Sequence, residues 1–199
     1  NEGLVLPPRI APTQVVIIPI RADKSPEVVK ASKELEEELK KAGVRVSLDL
    51  SNKTPGWKFA QYEMKGIPLR IEVGPKDLEQ KQVMLSKRYN GEKIALPLDQ
   101  VAAKIPALLE EIQEAMYQKA LVFLNTHIVE CHTYEEAKDV LTTGKGFAKL
   151  MVKSSLEADI EKKLKQEFNA SPRVMPFDQR PFQSKDSITG EDGADTVVY

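Results

Sequence analysis

The chain has one cysteine, Cys131, in 199 residues. That scarcity excludes an internal disulfide and a cysteine-cluster zinc site. Long apolar runs are also missing, and no window approaches the roughly 18 residues that a membrane span needs. The start, Asn-Glu-Gly-Leu-Val-Leu-Pro-Pro, has no basic region leading into an apolar stretch, so it does not read as a signal peptide. It also has no initiator methionine, which suggests an excised fragment. There is no glycine-rich phosphate loop with its lysine, no G-x-S-x-G elbow and no H-E-x-x-H. These absences point to a cytosolic chain, and no motif in it performs catalysis by itself.

What is present is ordinary globular material, 41% hydrophobic and 30% charged, long enough for one or two domains. The net charge of −1 hides a local imbalance. From Lys53 to Lys93 nine Lys/Arg stand against five acidic residues. A positive region of this kind suits a nucleic-acid backbone, since phosphate neutralisation drives much of such binding. A solvated mixed-charge surface is the plainer explanation. His127, Cys131 and His132 contain a nucleophile combination, but sequence neighbours are rarely catalytic partners, so a packed cysteine between surface histidines fits better.

The pattern of elements is α/β. "VVIIPI" (15–20) is a strand buried on both faces. A helix follows from Ser25 and Pro26 to Gly43, with Val28, Ala31, Leu35 and Leu39 on its apolar face. "VRVSLDL" (44–50) alternates as a half-buried strand, which makes a right-handed crossover with parallel strands. A short helix over 57–65 and the strand "LRIEV" (69–73) come next. "QVMLSKRY-NG-EKIALPL" predicts a hairpin on a two-residue turn at Asn90-Gly91, and Asp99 starts a long helix containing Pro106. This gives a five-stranded mixed sheet with flanking helices. A small α+β domain is expected from 130 on. It has a Thr133/Glu136 capping box, strands at "FAKLMVK", "PRVMPF" and "TVVY", a Ser154/Glu157-capped helix, and a mobile loop at 184–195.

The stretch "PGWKFAQYEMKGIPLRIEVGPKD" (55–77) crowds aromatics, carboxylates and cations together. In a parallel sheet, ligands bind beyond the carboxyl ends of strands, where Gly74-Pro75-Lys76-Asp77 falls. Phe59 and Glu63 lie one helical turn apart, and Arg70 points away from Leu69 and Ile71. Such a set suits an unpaired base: a ring stacks on Phe59, a carboxylate accepts from guanine N1 and N2, and Arg70 or Lys76 donates to O6, N7 or phosphate. The residues alone equally allow a core Phe59, solvated Glu63 and Lys65, and a plain Gly-Pro turn.

The same stretch closely resembles the anticodon-binding domain of prolyl-tRNA synthetases of the archaeal/eukaryotic-like type, which carry P-G-W/F-K-F, then W-E-x-K-G-x-P-x-R, then E-x-G-P-R/K-D. "NEGLVLPPRIAPTQVVIIPI" resembles the segment joining that family's catalytic domain to its anticodon domain. "VMPFDQ" (174–179) and "TVVY" are similar, more loosely, to its C-terminal domain. The resemblance implies a class IIa synthetase anticodon-binding fold. Residues 1–14 would be a linker from a missing catalytic domain, 15–129 the anticodon-binding domain and 130–199 the C-terminal domain.

The resemblance also implies that Phe59, Glu63, Arg70, Lys76 and Asp77 contact the two guanines shared by proline anticodons, with Lys58, Lys65 and Arg88 as backbone contacts. Tyr62 stands where the family usually has tryptophan. The implied partner is tRNA(Pro). The implied parent enzyme is a cytoplasmic, homodimeric proline–tRNA ligase using ATP and Mg²⁺, and this fragment alone would be non-catalytic. Many relatives bind zinc through four cysteines; here the corresponding places fall near Ser155, Ile160, Ser187 and Thr189, so zinc is expected to be absent. An anticodon-like fold reused as a protein-interaction or regulatory module is the competing expectation.

Overall fold

A computed structural model of the protein describes residues 3–144 and 146–199. It divides into two compact units, Asn1–Lys119 and Ala120–Tyr199. The first is built on a sheet of order β2-β1-β3-β4-β5. Its strands are β1 (Val15–Pro19), β2 (Val46–Leu48), β3 (Leu69–Val73), β4 (Gln82–Lys87) and β5 (Lys93–Pro97). β1 runs parallel to β2 and β3, whereas β3–β4 and β4–β5 are antiparallel.

All five residues of β1 are buried, as a central strand covered on both faces must be. Val15 and Ile17 face one side with Leu69, Ile71 and Val73 of β3. Against them pack Val28, Leu35 and Leu39 of helix α1 (Pro26–Lys41) and Ile105, Leu109 and Ile112 of helix α4 (Val101–Thr126). Val16 and Ile18 face the opposite side, under Phe59 and Tyr62 of helix α2 (Pro55–Met64). α2 thus forms a lid over one face of the sheet beside its parallel strand ends.

Three local expectations change. Gly74-Pro75-Lys76-Asp77 is the start of a short helix, α3 (Pro75–Glu79), with Gly74 at its N-cap. The β4–β5 connection is longer than a two-residue turn: Lys87 N–H donates to the Glu92 carbonyl, and only Gly91 of the Asn-Gly pair has positive φ, at 73°. "PRVMPF" forms no strand. Val174 and Tyr199 exchange backbone hydrogen bonds, but Pro172 and Pro176 have no N–H with which to continue a ladder.

The second unit contains a sheet of order β6-β7-β8, made of β6 (Ile128–Cys131), β7 (Phe147–Val152) and β8 (Thr196–Val198). Helices α5 (Tyr134–Thr143) and α6 (Glu157–Phe168) pack Ala137, Val140, Ile160 and Leu164 onto it. Thr133 caps α5, accepting from the Glu136 N–H at 3.3 Å. Ser154 does not cap α6; its hydroxyl donates to Asp195 at 2.8 Å. The loop expected to be mobile is fastened from within. Asp186 is 1% exposed, and its carboxylate accepts from the N–H groups of Lys153, Ile188 and Thr189.

Candidate nucleic-acid interface

Thr54 starts α2, its hydroxyl accepting from the Trp57 N–H at 3.4 Å, and Pro55 supplies the fixed φ of the first turn. The helix then sets Phe59 over the Arg70 guanidinium of β3, with Glu63 one turn further on beside it. Alternation along β3 sends Leu69, Ile71 and Val73 into the core and leaves Arg70 and Glu72 on the face under α2. The Arg70 guanidinium donates to Glu63 at 2.9 Å and to Glu72 at 3.0 Å. Its central carbon sits 4.0 Å from the Phe59 ring centroid. Arg70 is only 8% exposed, so this stack and fork define its position.

Beyond β3, the Asp77 carboxylate accepts from the Gly74 N–H at 3.2 Å through Oδ2. A Cβ at Gly74 would stand 2.8 Å from that oxygen, so glycine permits the close approach. The Lys76 ammonium is exposed and has no hydrogen bond or ion pair with the described residues.

These groups surround two recesses. A cleft of about 420 Å³ is lined by Arg21, Phe59, Glu72, Gly74, Lys76 and Asp77. A smaller one of about 180 Å³ is lined by Tyr62, Glu63, Arg70, Lys87 and Arg88. The five expected base-contacting residues therefore divide: Phe59, Lys76 and Asp77 share one recess, while Glu63 and Arg70 border its neighbour. One face of Phe59 already carries the Arg70 guanidinium, which leaves the remainder of the ring for a base.

Lys58 requires a correction. It was expected to contact phosphate, yet it is 3% exposed. Its ammonium donates to the Asp49 carbonyl at 2.9 Å and pairs with Asp49 Oδ1 at 3.4 Å. The Tyr62 hydroxyl donates to the other Asp49 oxygen at 3.1 Å. Burial raises the Tyr62 phenol, and the hydrogen bond to Asp49 adds to it, to about 12. Burial also pushes the Asp49 carboxyl upward, but hydrogen bonds from Ser51 and Tyr62 and the Lys58 charge bring it below the ordinary range. Lys65 remains exposed, 5.3 Å above the Tyr62 ring. Arg88 turns inward, donating through Nε to the carbonyls of Leu4 and Glu63.

Glu72 and Arg21 line the main cleft although no role was expected of them. The signal for Glu72 was strand alternation, since it lies two residues from Arg70 on the same face. The signal for Arg21 was its place just past the carboxyl end of β1.

The remaining candidates form no site. Cys131 is fully buried, and burial followed by the Glu136 charge raises its thiol to about 11. Its neighbour His132 pairs with Gln183, and His127 stacks on Phe123. Ser155 and Thr189 are exposed, Ile160 is core, and the Ser187 hydroxyl bridges the Cys131 carbonyl and the Met151 N–H. That donor set does not fit a zinc ion, which takes thiolate, imidazole or carboxylate ligands. Among the described residues no three or more His, Cys, Asp or Glu side chains are grouped to hold a metal. No helix among them is long and apolar enough to cross a membrane.

Residues 14–108 match the model of the family described as "Anticodon binding domain". The chain is 46% identical over its full length to "Proline--tRNA ligase 2" of Bacillus cereus, covering 41% of that protein. It is 42% identical over its full length to "Proline--tRNA ligase" of Clostridium novyi, again covering 41%. Among solved structures, a prolyl-tRNA synthetase from Cryptosporidium parvum, complexed with halofuginone and AMPPNP, aligns with 99% of this chain and 42% of its own. That alignment has a TM-score of 0.88 and 37% identity. The chain thus spans about two fifths of the length of the relatives it matches.

Proposed function

Because the chain carries an anticodon-binding domain and belongs to the prolyl-tRNA synthetase family, we propose that it reads the anticodon of tRNA(Pro) for a proline–tRNA ligase. The observation that carries this is the pair of adjoining recesses around Phe59, Arg70 and Asp77. In the larger one a guanine lies against Phe59. Asp77 Oδ1, opposite the oxygen held by Gly74, accepts from N1–H and N2–H, and Lys76 donates to O6, N7 or phosphate. In the smaller one Glu63 and Arg70 offer acceptor and donor to the second guanine. Lys65 tracks the backbone, while Lys58, its ammonium held by Asp49, makes no phosphate contact.

The domain assignment keeps 15–129 as the anticodon-binding domain, 130–199 as the C-terminal domain and 1–14 as the linker to a catalytic domain. The parent enzyme is a cytoplasmic homodimer that activates proline with ATP and Mg²⁺ and transfers it to tRNA. This chain lacks the class II catalytic motifs, so it binds tRNA without ligating anything. ATP–pyrophosphate exchange by the isolated chain would contradict that, and one zinc per chain by elemental analysis would contradict the reading of the second domain as metal-free.

The decisive experiment measures binding to a proline-type anticodon stem-loop and to one with both guanines changed to adenine, across a salt series. The expected result is a guanine preference that Asp77→Ala and Arg70→Ala reduce by about 1–3 kcal/mol per contact. Binding that follows salt but not base would confine the patch to backbone contact. No RNA binding, with retention of a protein partner, would favour the interaction-module alternative.

A further inference from the structure

Building on that reading, we infer that the site continues into a second cleft, which holds the nucleotide flanking the guanine pair, and that Arg21 clamps the phosphate between them. The parallel strands lie in the order β2-β1-β3, with carboxyl ends on one edge, roughly 5 Å apart. The guanine cleft lies beyond the ends of β1 and β3. A second cleft of about 510 Å³ lies beyond the ends of β1 and β2, lined by Arg21, Asp23, Ser51, Asn52, Lys53 and Pro55 among others. Arg21 and Pro55 line both clefts, so the two share a wall.

The shared wall is cationic and fixed in place. Arg21 lies two residues past the end of β1 and has φ 58°, a left-handed conformation uncommon for a non-glycine residue. Its carbonyl is held by the Lys24 N–H at 3.0 Å, and the preceding Ile20 N–H extends the ladder to Val73 at 2.8 Å. The guanidinium itself is exposed and has no hydrogen bond or ion pair with the described residues. In contrast, Arg70 is held by two carboxylates. Asn52 brings an amide that both donates and accepts, the edge chemistry a base requires. Lys53 adds a second cation, 5.4 Å from the centre of the exposed Trp57 ring. Asp23 is the one carboxylate in the second cleft, so it favours donor edges there. An unpaired strand laid along the edge would put one base in each cleft and a phosphate at Arg21.

The test uses the full chain, guanine-pair stem-loops and two further loops with an abasic residue on the 5′ or 3′ side of the pair. Arg21→Gly removes the guanidinium while permitting the left-handed backbone, and Arg21→Lys restores the charge. Arg21→Gly is expected to weaken binding about five- to twenty-fold and to reduce the log–log salt slope by about 0.7, with the guanine preference intact. Arg21→Lys recovers part of the affinity. One abasic loop binds the wild type several-fold more weakly, and Asn52→Ala abolishes that difference. Wild-type guanine preference with an Arg21→Gly variant of unchanged affinity and slope, or with both abasic loops bound as tightly as the parent, overturns this inference alone. A wild type without guanine preference removes the base-reading site and this extension with it.

Discussion

Replacing Lys58 with methionine separates a structural lysine from an RNA-binding one. In the folded protein both members of the Lys58–Asp49 pair are under a tenth exposed. Methionine fills much of the lysine stem's volume but leaves the Asp49 carboxylate with hydrogen bonds from two residues, Ser51, whose N–H lies at 2.8 Å, and Tyr62, whose hydroxyl lies at 3.1 Å. Breaking a buried pair by removing one partner costs roughly 3–5 kcal/mol. Because those two hydrogen bonds survive, the lower end, about 3 kcal/mol, is expected. With a urea dependence of about 1–3 kcal/mol/M, the unfolding midpoint falls by about 1–3 M.

Trp57 is the chain's single tryptophan and adjoins Lys58 on α2, so its fluorescence reports this unit. Adding Asp49→Asn to the variant should restore part of the loss, since the uncompensated charge is then gone. The salt dependence of RNA binding by the folded variant should match the wild type. An unchanged urea midpoint together with a salt slope shallower by about 0.7 would place the ammonium on phosphate and refute the reasoning.

Gly74→Ala drives a Cβ to 2.8 Å from Asp77 Oδ2; the carboxylate must turn away, so guanine preference should drop while stability falls by about 1 kcal/mol, the scale of a lost cap, as urea melts and stem-loop titrations would show. Tyr62 titrates near 12 when folded rather than 10. Its contribution is therefore complete below pH 10 and lost as pH rises through 12, whereas the lowered Asp49 contributes above the ordinary carboxylate range and is lost as pH falls through its folded value. The Trp57-detected midpoint should be flat at neutral pH and decline at both ends, with Tyr62→Phe removing the alkaline decline. Cys131, with its thiol near 11 and fully buried, should react with iodoacetamide at pH 8 only at the rate of opening; labelling as fast as a free thiol would contradict the packing.

The fold was legible where pattern and burial coincide. The continuous apolar run of β1 and the alternation of β3 each admit one arrangement, and their parallel pairing followed from the helix between them. Expectations failed where backbone chemistry competes with hydrophobicity. Val174 and Met175 look like strand residues, but the flanking prolines stop the ladder. Ser154 matches a helix cap, but Asp195 recruits its hydroxyl. The loop at 184–195 looks mobile by composition, yet one buried aspartate fastens it, and composition carries no information on where a carboxylate points. At the candidate site the residue types were legible but their partners were not. Lys58 looked like surface charge because Asp49, nine residues away just past β2, is brought beneath it only by the fold.

Glu72 extends the same point to recognition. It lines the cleft proposed for guanine and holds Arg70 from the side opposite Glu63, so on that proposal the arginine stands ready before RNA arrives, and less side-chain freedom is lost on binding. Glu72→Gln keeps the shape and removes the charge that fixes the guanidinium. With one negative charge fewer near the strand, affinity for the guanine and the adenine stem-loops should hold or rise, while the ratio between them falls several-fold. A stability readout cannot produce that pattern, because it would move both affinities together. If Glu72→Gln retains the full ratio while Arg70→Ala loses it, Glu63 and the Phe59 ring suffice to aim Arg70, and Glu72 only balances its charge.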